Sequence, residues 1–171
     1  DSWHWRNNYF CRKYKKKLVQ YLNSLPIDKV SIELGGGLGE IVGRLKTKET
    51  ILIDNCKNVL KASKYIPFIR ITKRILVSWD ELISETPNTI DLLITVNWIH
   101  DIDPKILEHY YKKIISQKEI KYIVVDILRK PWEGSYKHSF DFLLTLGYKI
   151  ENTLDDAGEG LREFLILRRI K

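Results

Sequence analysis

Val30-Ser31-Ile32-Glu33-Leu34-Gly35-Gly36-Gly37-Leu38-Gly39-Glu40-Ile41-Val42 is the stretch that decides the fold. A short β-branched run gives way to glycines at 35, 36, 37 and 39, then to an apolar-polar pattern that can start a helix. Strand, tight glycine turn and helix together make an anion or nucleotide site. Glycine lets the backbone approach a ligand, and a new helix points unpaired N–H groups at it. The dinucleotide pattern G-x-G-x-x-G fails in both registers, because its third glycine falls on Glu40 or on Val42. The phosphate-loop pattern fails too, since no Gly-Lys-Ser/Thr follows the glycines.

Working outward, the periodicity predicts alternating strands and helices. Residues 3–23 read as a helix, with Tyr14, Leu18, Tyr21 and Leu22 at helical spacing among Arg12, Lys13, Lys15, Lys16 and Lys17. Strands are expected at Val30–Leu34, Thr50–Asp54, within Phe68–Val77, at Ile90–Val96, Lys121–Leu128, Tyr148–Asn152 and Glu163–Arg169. Helices are expected from the glycine turn to Leu45, over Cys56–Tyr65, Trp79–Glu85 and Ser135–Leu146. Another starts at Pro104, capped by Asp103, and runs to Gln117. The last two strands are joined only by the loop at 155–160, which favours an antiparallel pair. The fold class is therefore α/β, doubly wound, with a mostly parallel seven-stranded sheet, an antiparallel last strand and helices on both faces.

The 171 residues suffice for one domain with a sizeable core. Residues 1–28 read as a helical and aromatic segment covering the site, and residues 29–171 as the core. The chain is 44% hydrophobic and 30% charged, as soluble globular proteins are. No apolar run approaches the ~18–20 residues of a membrane span, and no signal peptide is evident, so the expected location is the cytoplasm. The absence of an initiator Met fits a piece trimmed from a longer chain. Cys11 and Cys56 read as free thiols, and no clustered metal-ligand motif is present. The net charge of +7 is compatible with an anionic partner such as nucleic acid, and equally with cations spread over solvated faces.

Glu33-Leu34-Gly35-Gly36-Gly37-Leu38-Gly39 fills every fixed position of acid-x-Gly-x-Gly-x-Gly. Here the chain resembles the class I S-adenosylmethionine-dependent methyltransferases. The resemblance continues through Asp54 at the end of the second strand, Asp80 after the third, and Asp91-Leu92-Leu93-Ile94-Thr95-Val96-Asn97-Trp98-Ile99-His100-Asp101 at the fourth. It covers about Val30–Lys171 and implies a Rossmann-like fold with S-adenosyl-L-methionine as cofactor. By this resemblance Gly35, Gly36, Gly37 and Gly39 approach the amino-acid moiety. Asp54, with Asn55 beside it, holds the ribose hydroxyls. Glu33 supplies negative charge toward the sulfonium. Ser78, Trp79 and Asp80 lie at the adenine, and Asn97 and Trp98 line the methyl-donor end. Plainer roles stay open: Asp54 and Asp80 as helix caps, and Glu33 as an acceptor for backbone amides.

For transfer to a hydroxyl, a general base is wanted, and histidine suits neutral pH. His100 follows the fourth strand and His138 the fifth; both are candidates, with Asp101 and Asp126 as alternative bases or orienters. The Asn/Asp-Pro-Pro-Tyr/Phe signature of amino-methylating nucleic-acid enzymes is absent, and no Pro-Cys follows the fourth strand. The expected acceptor is a small molecule or sugar, methylated on oxygen. RNA, held by the basic N-terminal helix, is the alternative acceptor. A methyltransferase-like binding module without turnover is the non-enzymatic alternative.

Overall fold

The computed structural model describes residues 8–77 and 79–170, without the side chains of Trp79 and Asp80. Trp3, Trp5 and Ser78, and the contacts expected of Trp79 and Asp80, therefore lie outside the described residues. Seven strands form one sheet: β1 (Val30–Leu34), β2 (Glu49–Asp54), β3 (Lys73–Leu76), β4 (Thr89–Thr95), β5 (Glu119–Leu128), β6 (Tyr148–Asp155) and β7 (Arg162–Arg169). Their order is β3-β2-β1-β4-β5-β7-β6. The first five pair in parallel, and β7 runs antiparallel between β5 and β6. This is the doubly wound sheet that the alternating pattern predicts.

The central strands are continuous apolar runs because both sheet faces are covered. Successive side chains point to opposite faces, so Leu92 and Ile94 join one core and Leu93 the other. One face packs against helix α1 (Lys13–Leu22) through Tyr14, Leu18, Val19 and Leu22, and against Ile41, Val42 and Leu60. On the other face lies α4 (Pro104–Gln117), which buries Leu107, Tyr111 and Ile114. Short helices α2 (Lys57–Ala62), α3 (Trp79–Glu85) and α5 (Asp141–Thr145) complete the layers. Asp103 caps α4 by accepting from Lys105 N at 2.8 Å, and Pro104 fills its first turn, as its missing N–H allows.

Four expectations are corrected. Of the helix expected over residues 3–23, the described part is helical only over Lys13–Leu22, because Cys11 N and Arg12 N close a turn on Asn8 O. The helix from the glycine turn to Leu45 is absent; turns lead into one 3-10 turn at Val42–Arg44. Gly35, Gly37 and Gly39 all take positive φ, which no α-helix accepts, and Val42 N donates to Glu33 instead of propagating a helix. The helix expected at Ser135–Leu146 shrinks to α5. Tyr136 N donates to His100 O at 2.7 Å, and the His138 ring bonds Ile99 O at 2.9 Å, which draws this segment out along the neighbouring loop. The third strand shortens to Lys73–Leu76 because the residues before it dock on the glycine turn. A Cβ on Gly39 would lie 2.5 Å from Ile71 Cδ1, and one on Gly43 2.8 Å from Ile69 Cβ. Arg70 N also donates to Gly43 O at 2.7 Å.

The β6–β7 turn is built on one buried carboxylate. Asp156 accepts from the backbone N–H groups of Gly160 at 2.8 Å, Leu161 at 2.5 Å and Arg162 at 3.0 Å. Burial pushes its pKa up, but the three N–H donors outweigh that and hold it below the usual carboxylate range. Its stabilisation is present above that range and is lost as pH falls through it. Asp156→Ala leaves three N–H groups unsatisfied and is expected to destabilise the protein by roughly 1–3 kcal/mol. Urea unfolding at neutral pH checks this; an unchanged midpoint would refute the role of Asp156.

Candidate active site

Between β1 and β4 the strand order reverses direction, and in open α/β sheets the crevice beyond such a point is where ligands bind. The glycine turn leaves β1 at this edge. Gly35, Gly37 and Gly39 have φ of 59°, 57° and 69°, a region that side chains disfavour. The turn is also too crowded for substitution: a Cβ on Gly36 would lie 2.7 Å from Glu33 Cγ, and one on Gly35 only 2.4 Å from Trp98 Cγ. The indole of Trp98, just past β4, therefore lies directly against Gly35.

Two carboxylates hold the turn. Glu33 is 2% exposed, and its Oε2 accepts from Val42 N at 3.0 Å. Burial is the main cause that pushes its pKa up to about 7, against the opposing pull of the Val42 N–H and the positive charge of Lys15. Asp54 is also buried. Its Oδ2 accepts from Gly37 N at 3.0 Å, and its Oδ1 from Cys56 N at 2.8 Å. Each of these oxygens keeps a second lone pair. Asn55 follows, exposed at the same edge.

A second cluster lies beyond β4 and β5. Asp126 is fully buried, accepting from Asn97 N at 3.1 Å through Oδ1. Its Oδ2 meets His100 Nε2 at 3.0 Å and Arg162 Nη1 at 2.8 Å. Asn97, held at φ 76°, accepts through Oδ1 from both Arg162 Nη1 and Tyr14 Oη. Burial raises the Tyr14 pKa to about 12, so its phenol stays a neutral donor. His100 is 1% exposed, and its Nδ1 is buried without a hydrogen-bond partner. With Nε2–H given to the carboxylate, Nδ1 carries the lone pair.

The structure thus groups Glu33, Gly35, Gly36, Gly37, Gly39 and Asp54 around one turn. Asn97 and Trp98 reach it from β4, and His100 joins them through Asp126. His138 is buried beside His100, with ring centroids 6.3 Å apart, and burial lowers its pKa. Asp101 lies apart from this group, exposed at the end of a 3-10 turn. Among the described residues, no cluster of three or more His, Cys, Asp or Glu is arranged to hold a metal.

Sequence reasoning missed Arg162 and Tyr14. Each meets Asn97 across a long sequence separation, and Tyr14 reads as one more apolar-face residue of an amphipathic helix. Of the cations Arg12, Lys13, Lys15, Lys16 and Lys17, three are paired with acids. Lys15 contacts Glu40 at 2.9 Å in the interior, Arg12 contacts Glu159 at 2.6 Å, and Lys17 contacts Asp155 at 2.9 Å. No described helix is long and apolar enough to cross a membrane.

No family model and no curated protein matches this sequence. Solved structures do match its fold. The N-methyltransferase NodS from Bradyrhizobium japonicum WM9 superposes with a TM-score of 0.73 at 14% identity, over 97% of this chain and 99% of that one. Magnesium protoporphyrin IX methyltransferase (ChlM) from Synechocystis PCC 6803, solved with bound SAM, gives 0.72 at 10% identity, over 91% and 78%. A putative type 11 methyltransferase from Sulfolobus solfataricus gives 0.66 at 17% identity, over 94% of both chains. At these identities the likeness establishes the fold: the seven-stranded, Rossmann-like sheet of the S-adenosylmethionine-dependent methyltransferases.

The buried Glu33 makes the turn sensitive to pH. Its carboxyl is protonated in the folded state up to about pH 7, whereas the unfolded chain releases that proton near 4.5. Stability from this residue is full below 4.5 and falls as pH rises toward 7, by at most ~1.4 kcal/mol per unit. Glu33→Gln removes that dependence. Its stability relative to the natural protein is expected to rise by about 3 kcal/mol between pH 4.5 and 8 in denaturant titrations. Parallel pH curves for the two proteins would refute the assignment.

Proposed function

We propose that this chain binds S-adenosyl-L-methionine on the Gly35–Gly39 turn and transfers its methyl group to an oxygen of a small molecule or sugar. The observation that carries the reading is the bond from Gly37 N to Asp54 Oδ2 at the switch point, which joins turn and acid into one cradle. The fit is chemical as well as spatial. A cofactor without phosphate needs backbone approach on one side and a carboxylate for a ribose diol on the other, and both are here. Structural neighbours support the reading, since ChlM and NodS were each solved with this cofactor or its demethylated product.

In this reading Asp54 accepts from the two ribose hydroxyls through its remaining lone pairs, and the glycine backbone cradles the amino-acid moiety. Asn55 flanks the ribose, and Ser78, Trp79 and Asp80 serve the adenine. Asn97 and Trp98 wall the donor end, while Glu33 acts on the turn through its bond to Val42 N. The bound cofactor supplies an activated methyl electrophile. The protein supplies alignment, dehydration and a base. His100 is that base: Asp126 fixes its Nε2–H tautomer, and Nδ1, buried in the free protein, takes the acceptor's proton once the acceptor has displaced the side chains over it. His138 buttresses it, and Asp101 stands at the rim of the loop. Pairing of Arg12, Lys15 and Lys17 with acids leaves α1 fewer cations for phosphates, which favours a small acceptor over RNA.

Calorimetric titration with S-adenosylhomocysteine is expected to give micromolar binding. NAD should give none, and Asp54→Ala should weaken binding by about tenfold or more. A folded protein that binds neither would sink the cofactor reading. Where transfer of a labelled methyl group to a hydroxyl acceptor is observed, His100→Ala is expected to slow it by about a hundredfold or more. Tight binding with no transfer to any acceptor would instead favour a module that has lost turnover.

A further inference from the structure

Building on this methyl-transfer reading, we propose that Arg162, half-buried beside Asn97 and Asp126, binds a carboxylate of the acceptor, which makes the acceptor a small hydroxy acid. Arg162 opens β7 opposite Leu128 at the end of β5, so it lies on the same sheet edge as the glycine turn. Its place is fixed from behind by Asp156, which accepts its backbone N–H. Only Nη1 is spent, on Asn97 Oδ1 and Asp126 Oδ2. Among the described residues, Nε and Nη2 make no hydrogen bond.

Those two nitrogens form the side edge of the guanidinium, a planar fork that matches the two oxygens of a carboxylate. The side chain is only 15% exposed, so a bond on this edge forms away from bulk water and is stronger than one on a surface arginine. The Tyr14 ring lies 5.4 Å from the guanidinium carbon and flanks its plane. Asp126 balances the single positive charge of the guanidinium, so a carboxylate on the other edge is held by the two N–H donors of the fork rather than by surplus charge. Arg129, exposed next to this mouth with its N–H on Leu161 O, is itself paired with Glu163 at 3.8 Å.

Position ties the fork to the chemistry. Asn97 bonds Arg162 and precedes Trp98, whose ring covers Gly35, so a carboxylate on Arg162 lies close to the donor cradle. His100 shares Asp126 Oδ2 with Arg162. One compact acceptor can therefore place its carboxylate on Arg162 and its hydroxyl toward His100.

The test is a side-chain NMR titration of nitrogen-15-labelled protein at constant ionic strength. The probes are glycolate, its uncharged counterpart glycolamide, and inorganic phosphate. Glycolate is expected to move the Arg162 Nε–H signal saturably, with glycolamide weaker by about tenfold or more. Arg162→Lys keeps a cation for Asp126 but loses the fork, and its response to glycolate, read on backbone amides near Asn97, should weaken by a similar factor. Equal response to glycolate and glycolamide, or an unaffected Lys variant, overturns the proposal. Tighter binding of phosphate than of glycolate overturns the carboxylate assignment. S-adenosylhomocysteine binding to the natural protein is measured separately, so failure of the cofactor reading is distinguished from failure of this one.

Discussion

The turn after β1 has to leave the sheet through three left-handed glycines while its backbone amides find partners away from any helix. Glu33 and Asp54 meet that requirement from two adjacent strands: one carboxylate takes Val42 N beyond the turn, the other takes Gly37 N within it. Strand pairing puts the two acids on one face a diagonal step apart, since Glu33 is in register with Leu52 and Asp54 lies two residues beyond Leu52. The consequence reaches outward. Because no helix follows the turn, the segment before β3 can pack on Gly39 and Gly43, and Trp98 can lie on Gly35. The crevice at the switch point owes its shape to this arrangement.

A third carboxylate does comparable work beyond β4 and β5. Asp126 is fully buried and would be costly alone; it is satisfied by a backbone amide, an imidazole and a guanidinium. Removing one charged partner from such a buried group typically costs about 3–5 kcal/mol. The cluster draws together the loop after β4, the end of β5, the start of β7 and, through Tyr14 and Asn97, helix α1. Four distant segments of the chain meet at one point, next to the glycine turn. The ion pairs of Arg12, Lys15 and Lys17 clamp α1 to the same edge.

What was legible in the sequence is what local chemistry encodes. Continuous apolar runs gave the parallel strands, a loop without a helix gave the antiparallel end, and Asp103-Pro104 marked the start of α4. The glycine register and Asp54 located the turn and its neighbour acid. The helices misjudged after Gly39 and over Ser135–Leu146 have adequate local pattern but are overruled by tertiary bonds: Val42 N to Glu33, and Tyr136 and His138 to the loop at Ile99 and His100. Arg162 was invisible for a related reason. Its neighbours Asn97 and Asp126 stand 65 and 36 positions away, and nothing in a basic residue at a strand start announces a buried partner.

The central claim is that Asp54 and the glycine turn form one cofactor cradle. A crystal structure of the protein with S-adenosylhomocysteine tests it most directly. The account predicts the ribose hydroxyls on the Asp54 carboxylate and the homocysteine moiety along Gly35–Gly37. A ligand bound elsewhere, with Asp54 contacting only Gly37 N and Cys56 N, would contradict it.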